Sequence, residues 1–263
     1  MITFLDIETI PGQGCFDSFL TEAKENFKAP SDLSKAKACA DLGLTGDDAK
    51  YTSRADAIVQ WEEKFSQEKA PEVAEQEWRK TSFNGAIGEL VSIAWAAEDD
   101  EVISVQRHAA FNGDELLLSS EAEMLEDFYS QLEKRLNKRK PFFIGQFIGG
   151  FDLPFLFHRS VILRVRPPFD LPFNGRHDSN FYDTQIAWAG YKGRMSQDNL
   201  CKALDIKGKP DDIDGSKVWD FVKAGDVDRV AEYNRDDVEK NREIYKRINF
   251  IDSIGLGSLK KAV

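Results

Sequence analysis

A chain of 263 residues, 41% of them hydrophobic, is long enough for one large domain or two small ones with a real core. That length and the ample aromatics exclude a small disulfide-stapled scaffold and a chain disordered throughout. The net charge of −11 is unevenly spread, at −17 over residues 1–133, +8 over 134–209 and −2 over 210–263, so a basic middle third could guide a phosphate backbone inside an acidic chain.

Cys15, Cys39 and Cys201 form an odd, scattered set with no C-x-x-C pair, and they read as reduced thiols of a cytosolic protein. The first residues lack the basic flank and apolar length of a signal peptide, and no stretch approaches the ~20 apolar residues of a membrane span. The expected setting is cytoplasmic, with no membrane.

Ile2 to Ile7 is short, apolar and β-prone, a buried strand with acids at its end. From Phe16 to Ser82 the pattern is helical and polar. Phe16, Phe19, Leu20, Ala23 and Phe27 fall at helical spacing, and Pro30-Ser31 and Gly43 bracket a weaker helix. Ser53 is placed to cap a segment carrying Ile58, Trp61 and Phe65, and Pro71 to open another carrying Val73 and Trp78. Residues 16–82 therefore read as a helical insertion in a single domain spanning 1–263.

Strands return at 90–96 and 101–105, joined by the acidic turn Glu98-Asp99-Asp100 as a hairpin. A helix is predicted at about 121–137, a strand at 142–145, a helix at 152–163 and a short strand at 181–183. Helical stretches follow near 184–190 and 196–204, the second with Ser196 as cap, and a strong helix spans about 226–248. Strands that later alternate with helices give an α/β or α+β sheet covered by helices.

Three places carry chemistry. Asp6 and Glu8 are alternate residues of a strand and so project from one face, and two carboxylates in contact are costly to ionise without a cation between them. The same triplet is common in exposed strand ends. Asp152 follows the Gly-rich turn Gly145 to Gly150, with Pro154 in a helical first turn, so it also reads as a helix cap. Tyr233 and Asp237 are four apart and share a helix face, with Asp236 turned about 100° away.

Taken together and in this order, Asp6-x-Glu8-Thr9, Gly145 through Phe155 and Tyr233-x-x-x-Asp237 resemble the three exonuclease motifs of the DEDD superfamily in its tyrosine-bearing branch. The nearest likeness is to stand-alone relatives of the proofreading domain of family-B DNA polymerases, over about 1–12 and 83–250. Weaker support comes from Phe181 to Thr184, Leu200 to Leu204 and Asp214 to Trp219. One departure is visible: where relatives tend to have Gly-(His/Tyr/Trp)-Asn, this chain has Gly145-Gln146-Phe147.

The resemblance implies a ribonuclease H-like mixed sheet flanked by helices, and a 3′–5′ exonuclease that releases 5′-mononucleotides from single-stranded DNA 3′ ends. Phosphodiester hydrolysis needs a hydroxide-like nucleophile and charge stabilisation on the leaving oxygen, and two Mg²⁺ or Mn²⁺ ions provide both. By resemblance, Asp6 would bridge both ions, Glu8 and Asp237 would complete one site, and Asp152 would hold the second ion. Tyr233, neutral at pH 7, would orient the attacking water.

Substrate contacts are expected from Thr9, Ile10, Gln146 and Phe151, with Phe147 or Phe151 stacking on a base. Arg159, Arg164, Arg166, Arg176, Lys192 and Arg194 are candidates to track phosphates. Asp183 is expected to cap a helix at Thr184, with support of the metal site as its other reading. His108, His158 and His177 are isolated and receive no role. RNA as substrate, a catalytically silent nucleic-acid-binding module and a separate polymerase or repair partner stay open. An Asp-nucleophile phosphatase does not fit, because position 8 is Glu.

Overall fold

The computed structural model describes residues 1–172, 181–208 and 212–251. Strand β1 (Ile2–Ile10) is followed by helices α1 (Phe16–Glu25), α2 (Lys35–Leu42), α3 (Gly46–Tyr51) and α4 (Arg54–Arg79) and a 3₁₀ turn at Lys80–Phe83. Next come β2 (Glu89–Ala97), β3 (Ile103–Gln106), β4 (Ala109–Asn112), β5 (Glu115–Leu118) and α5 (Glu121–Leu136). The chain then forms β6 (Phe142–Gly145), α6 (Asp152–Leu163), β7 (Phe181–Asp183), α7 (Thr184–Ala189), α8 (Gln197–Ala203), α9 (Val218–Lys223) and α10 (Val227–Ile248). It divides into two compact units, Met1–Ile10 with the chain from Phe83 onward, and Pro11–Ser82.

In the first unit the sheet order is β3-β2-β1-β6-β7. β1 runs antiparallel to β2 and parallel to β6, with Leu5 opposite Trp95 and Phe4 opposite Ile144. β6 and β7 are parallel. This is the mixed, helix-flanked α/β sheet that the resemblance implied. Leu5 and Ile7 pack with Leu125, Phe128 and Leu132 of α5 and with Phe155 and Leu156 of α6. Phe4 packs the opposite way, with Val238 of α10 and Tyr245 beside it. Fully burying one such side chain contributes about 1.5–3 kcal/mol.

Strand alternation then dictates where the acids go. Asp6 and Glu8 are in step with Phe4, so they share the face that α10 covers. β1 and β2 slip register between Glu8 and Thr9, an irregularity just past the second acid, before pairing continues at Thr9 and Ile10.

In the second unit, Leu33, Ala38, Cys39, Ala57 and Trp61 form the core. Ser34 and Ser53 cap α2 and α4 through Lys37 N and Asp56 N. The separate helix expected to open at Pro71 is not present, because Pro71 lies inside the continuous 26-residue α4. The buried stripe of Ala57, Trp61, Ala70, Ala74 and Trp78 runs through both sides of Pro71 and holds the two halves on one axis despite the lost hydrogen bond.

The β4–β5 hairpin was not expected. Its signal lies in Asn112-Gly113-Asp114, where Gly113 takes φ +63° and Asn112 pairs with Glu115.

Candidate active site

The end of β1 supplies Asp6 and Glu8, and α10 supplies Asp237. One carboxylate oxygen from each lies within 4.8 Å of the other two. Like charges this close repel. Asn234 donates from Nδ2 to Asp6 Oδ2 at 2.8 Å, while its Oδ1 accepts from Ser92 Oγ on β2 at 2.8 Å. Lys240 donates to Asp236 Oδ2 at 2.5 Å and reaches Asp237 Oδ1 at 3.3 Å. Both Asn234 and Lys240 are buried.

Asp152 reaches the site from the opposite face. Phe151 occupies the cap position of α6, so Asp152 is a first-turn residue and not the cap. Its Oδ1 accepts instead from Ile7 N, between the two β1 acids, at 3.1 Å. Burial holds the Asp152 carboxyl well above the ordinary carboxylate range, against backbone hydrogen bonds and with the charge of Asp183 adding to the rise.

The loop before Asp152 is fixed by close approaches. A side chain at Gly145 would sit 2.8 Å from Leu5 O, so only glycine lets β6 end against β1. Phe147 takes φ +55° and donates from N to Asp183 Oδ1 at 3.1 Å. That same oxygen accepts from Gln185 N and Ile186 N. Asp183 is thus the expected cap of α7, and it also ties the loop down.

The Tyr233 phenol is almost completely buried, and burial drives its pKa upward, reinforced by the charges of Asp237, Glu8 and Asp6. It stays neutral at physiological pH and shares a hydrogen bond with Asp237.

A cleft of about 410 Å³ opens on these groups, lined by Asp6, Ile7, Glu8, Phe83, Gln146, Phe147, Phe151, Asp152, Gln197 and Asp237. Three of the residues expected to meet substrate, Gln146, Phe147 and Phe151, are in this lining. The Gln146 amide is engaged, with Nε2 donating to Met195 O at 2.6 Å and Oε1 accepting from Thr184 Oγ1 at 2.6 Å. Thr9 and Ile10 do not line the cleft. Ile10 is wholly buried and pairs with Glu89, so the nucleotide contact expected of it finds no exposed surface.

Arg159 corrects another expectation. Its guanidinium is buried and grips Glu121 with Nε at 2.8 Å and Nη2 at 2.6 Å, so it does not track phosphates. Arg176 and His177 lie outside the described residues.

Four residues of the site were missed from sequence. Phe83 is 73% exposed at the cleft edge and packs its ring near Phe151. Gln197 donates to Asp237 O, yet its buried Oε1 has no partner among the described residues. Asn234 and Lys240 complete the set. Asn234 stands next to Tyr233 in sequence, but only β2 shows why its amide turns to Asp6.

Residues 84–254 match a family described as a predicted 3′–5′ exonuclease related to the exonuclease domain of PolB. The chain belongs to this family. The matched stretch carries Asp152, Tyr233 and Asp237 and begins after Asp6 and Glu8, which the sheet brings to the same place by setting β1 between β2 and β6. No curated protein matches the chain. Exonuclease domains of this type generally use divalent metals, and a nucleic-acid substrate follows from the family. No described helix is long and apolar enough to cross a membrane.

Proposed function

We propose that this family member is a metal-dependent 3′–5′ exonuclease that hydrolyses phosphodiester bonds at single-stranded DNA 3′ ends and releases 5′-mononucleotides. The observation that carries the reading is the convergence of Asp6, Glu8 and Asp237 within 4.8 Å, with Asp152 on the same cleft. The chain is read as one exonuclease domain in which residues 16–82 are inserted.

The donor set fits Mg²⁺ or Mn²⁺. It is all oxygen, and the orphaned acceptor Gln197 Oε1 beside it suits a donor such as ion-held water. Asp6, Glu8 and Asp237 would hold one ion, and Asp6 with Asp152 the second. When bound, two such ions supply a nucleophile at neutral pH and stabilise the leaving oxygen.

The chain's own groups do the positioning. Asn234 donates to one oxygen of Asp6 and so fixes how that carboxylate is turned. Tyr233 is too weak an acid to act as a base here, and its part is to orient the attacking water by hydrogen bonding. Phe83, Phe147 and Phe151 offer aromatic faces on which terminal bases of any sequence can stack.

The test is a time course on 3′- and 5′-labelled single-stranded DNA and matched RNA with Mg²⁺, Mn²⁺ or EDTA, beside Asp6→Asn. Metal-dependent stepwise loss from the DNA 3′ end, absent in the variant, is expected. Faster loss from RNA would reassign the sugar. Cleavage of neither polymer would leave a silent binding module.

A further inference from the structure

Part of the positive charge of the middle stretch gathers outside the acidic cleft. Lys134, Lys138, Lys140, Arg164 and Arg166 border two adjoining depressions of about 600 and 610 Å³, which share Pro168, Phe169 and Asp170. None of these five cations has an ion-pair partner among the described residues. Helix ends explain part of this, since Lys134 sits in the last turn of α5 and complements its carbonyls. Lys138, Lys140 and Arg166 lie past the helices, and only Glu133 and Asp170 oppose the group as acids of the lining.

Five cations without an ion-pair partner among the described residues, in a chain of net charge −11, are a local field that a polyanion would complete. The second depression is also walled by Phe157 and Val161, which are 41% and 62% exposed on α6. Apolar aromatic surface interleaved with cations matches bases on a phosphate chain better than it matches an acidic peptide.

Location supports the same occupant. α6 begins at Asp152 in the cleft and runs 12 residues, ~18 Å, to the end that carries Arg164. That is too far for the scissile nucleotide and within reach of nucleotides further along the same strand.

We propose that this basic, aromatic-walled face is a second contact surface for single-stranded nucleic acid, holding the strand whose 3′ end lies among the acids. The inference rests on the exonuclease reading for the identity of the polymer. It is testable without cleavage.

The test measures binding of a labelled single-stranded oligonucleotide by fluorescence anisotropy in EDTA over a salt series, in the Asp6→Asn background. Two double variants are compared with it, Lys138→Glu with Lys140→Glu and Arg164→Glu with Arg166→Glu. Each is expected to weaken binding roughly tenfold or more and to flatten the dependence of log K on log salt by about 0.7 for each phosphate that is no longer neutralised. The matching Lys→Gln and Arg→Gln variants, with melting temperatures close to the parent's, should lie between.

Unchanged affinity and salt slope would overturn the proposal, as would a polyglutamate peptide displacing the oligonucleotide as well as unlabelled DNA does. Hydrolysis of a trinucleotide by the unmodified protein separates the two readings. No hydrolysis with face-dependent binding sinks the catalytic reading alone, and hydrolysis with face-independent binding sinks the second surface alone.

Discussion

Two groups of acids in the first unit are treated differently. Glu121 is closed off. Arg159 grips both its oxygens, Leu90 N donates to one of them at 2.8 Å, and both side chains are buried. Asp6, Glu8 and Asp237 instead converge on a cleft, with a neutral amide on one and a lysine shared with Asp236 on another. A buried acid serving only the fold is neutralised by the chain's own cation, since an unpaired buried charge is costly. Three acids kept within 4.8 Å of one another in front of a cleft form the group that the proposed function assigns to a cation from solution.

Breaking the open cluster and breaking the closed pair should therefore fail in opposite ways. Asp6→Asn keeps an oxygen for the Asn234 amide and removes one charge. It should lower the cleavage rate by about a thousandfold or more, since metal charge stabilisation supplies several kcal/mol and each 1.36 kcal/mol is tenfold. Its melting temperature in EDTA should be equal to or above that of the unmodified protein, because repulsion is relieved. Mn²⁺ should raise the melting temperature of the unmodified protein more than that of the variant.

Arg159→Met should do the reverse. It strands Glu121 and should cost about 3–5 kcal/mol in denaturant unfolding, while the surviving folded fraction retains its cleavage rate. A folded, fully stable Arg159→Met would erase the distinction between the two sites.

What the sequence revealed follows from the range of the forces involved. The strands at 142–145 and 181–183 and the helices at 152–163 and 226–248 were legible because apolar periodicity and caps are local. Asp6, Glu8, Asp152, Tyr233 and Asp237 were read as a set from order and spacing, and the fold brings oxygens of Asp6, Glu8 and Asp237 within 4.8 Å with Asp152 on the same cleft. What was not legible depends on distant partners. Asp152 resembled a cap until Ile7 N claimed it across 145 positions. Arg159 looked like a phosphate contact because Glu121, its partner, stands 38 residues away. Pro71 looked like a helix start because nothing local shows that one buried stripe continues through it.

A finer break lies inside the open cluster. Asn234→Leu removes the amide that joins Ser92 on β2 to Asp6 on β1, leaving both partners short of a hydrogen bond. The expected cost is about 1–3 kcal/mol of stability. If the amide fixes the Asp6 carboxylate, the variant should also need more Mn²⁺ for half-maximal rate. Ser92→Ala, which frees the amide without removing it, should show a smaller shift in the same direction. A stability loss with unchanged metal dependence would make Asn234 a packing residue only.

The smallest expected effect belongs to Tyr233→Phe. The ring is buried, so phenylalanine preserves its packing, and Lys240 remains beside Asp237 when the hydroxyl is gone. On the proposed role, what disappears is one neutral donor to the attacking water, worth about 0.5–1.5 kcal/mol, or up to roughly tenfold in rate. Because the phenol is neutral with its pKa pushed upward by burial and by three carboxylates, removing it should leave the lower limb of the pH–rate profile in place. The midpoint of the Mn²⁺ dependence should stay as well, which sets this variant apart from both Asp6→Asn and Asn234→Leu. A loss as deep as that of Asp6→Asn would mean that the hydroxyl does more than orient water. A rate equal to the parent's would mean that the three carboxylates position the water without it.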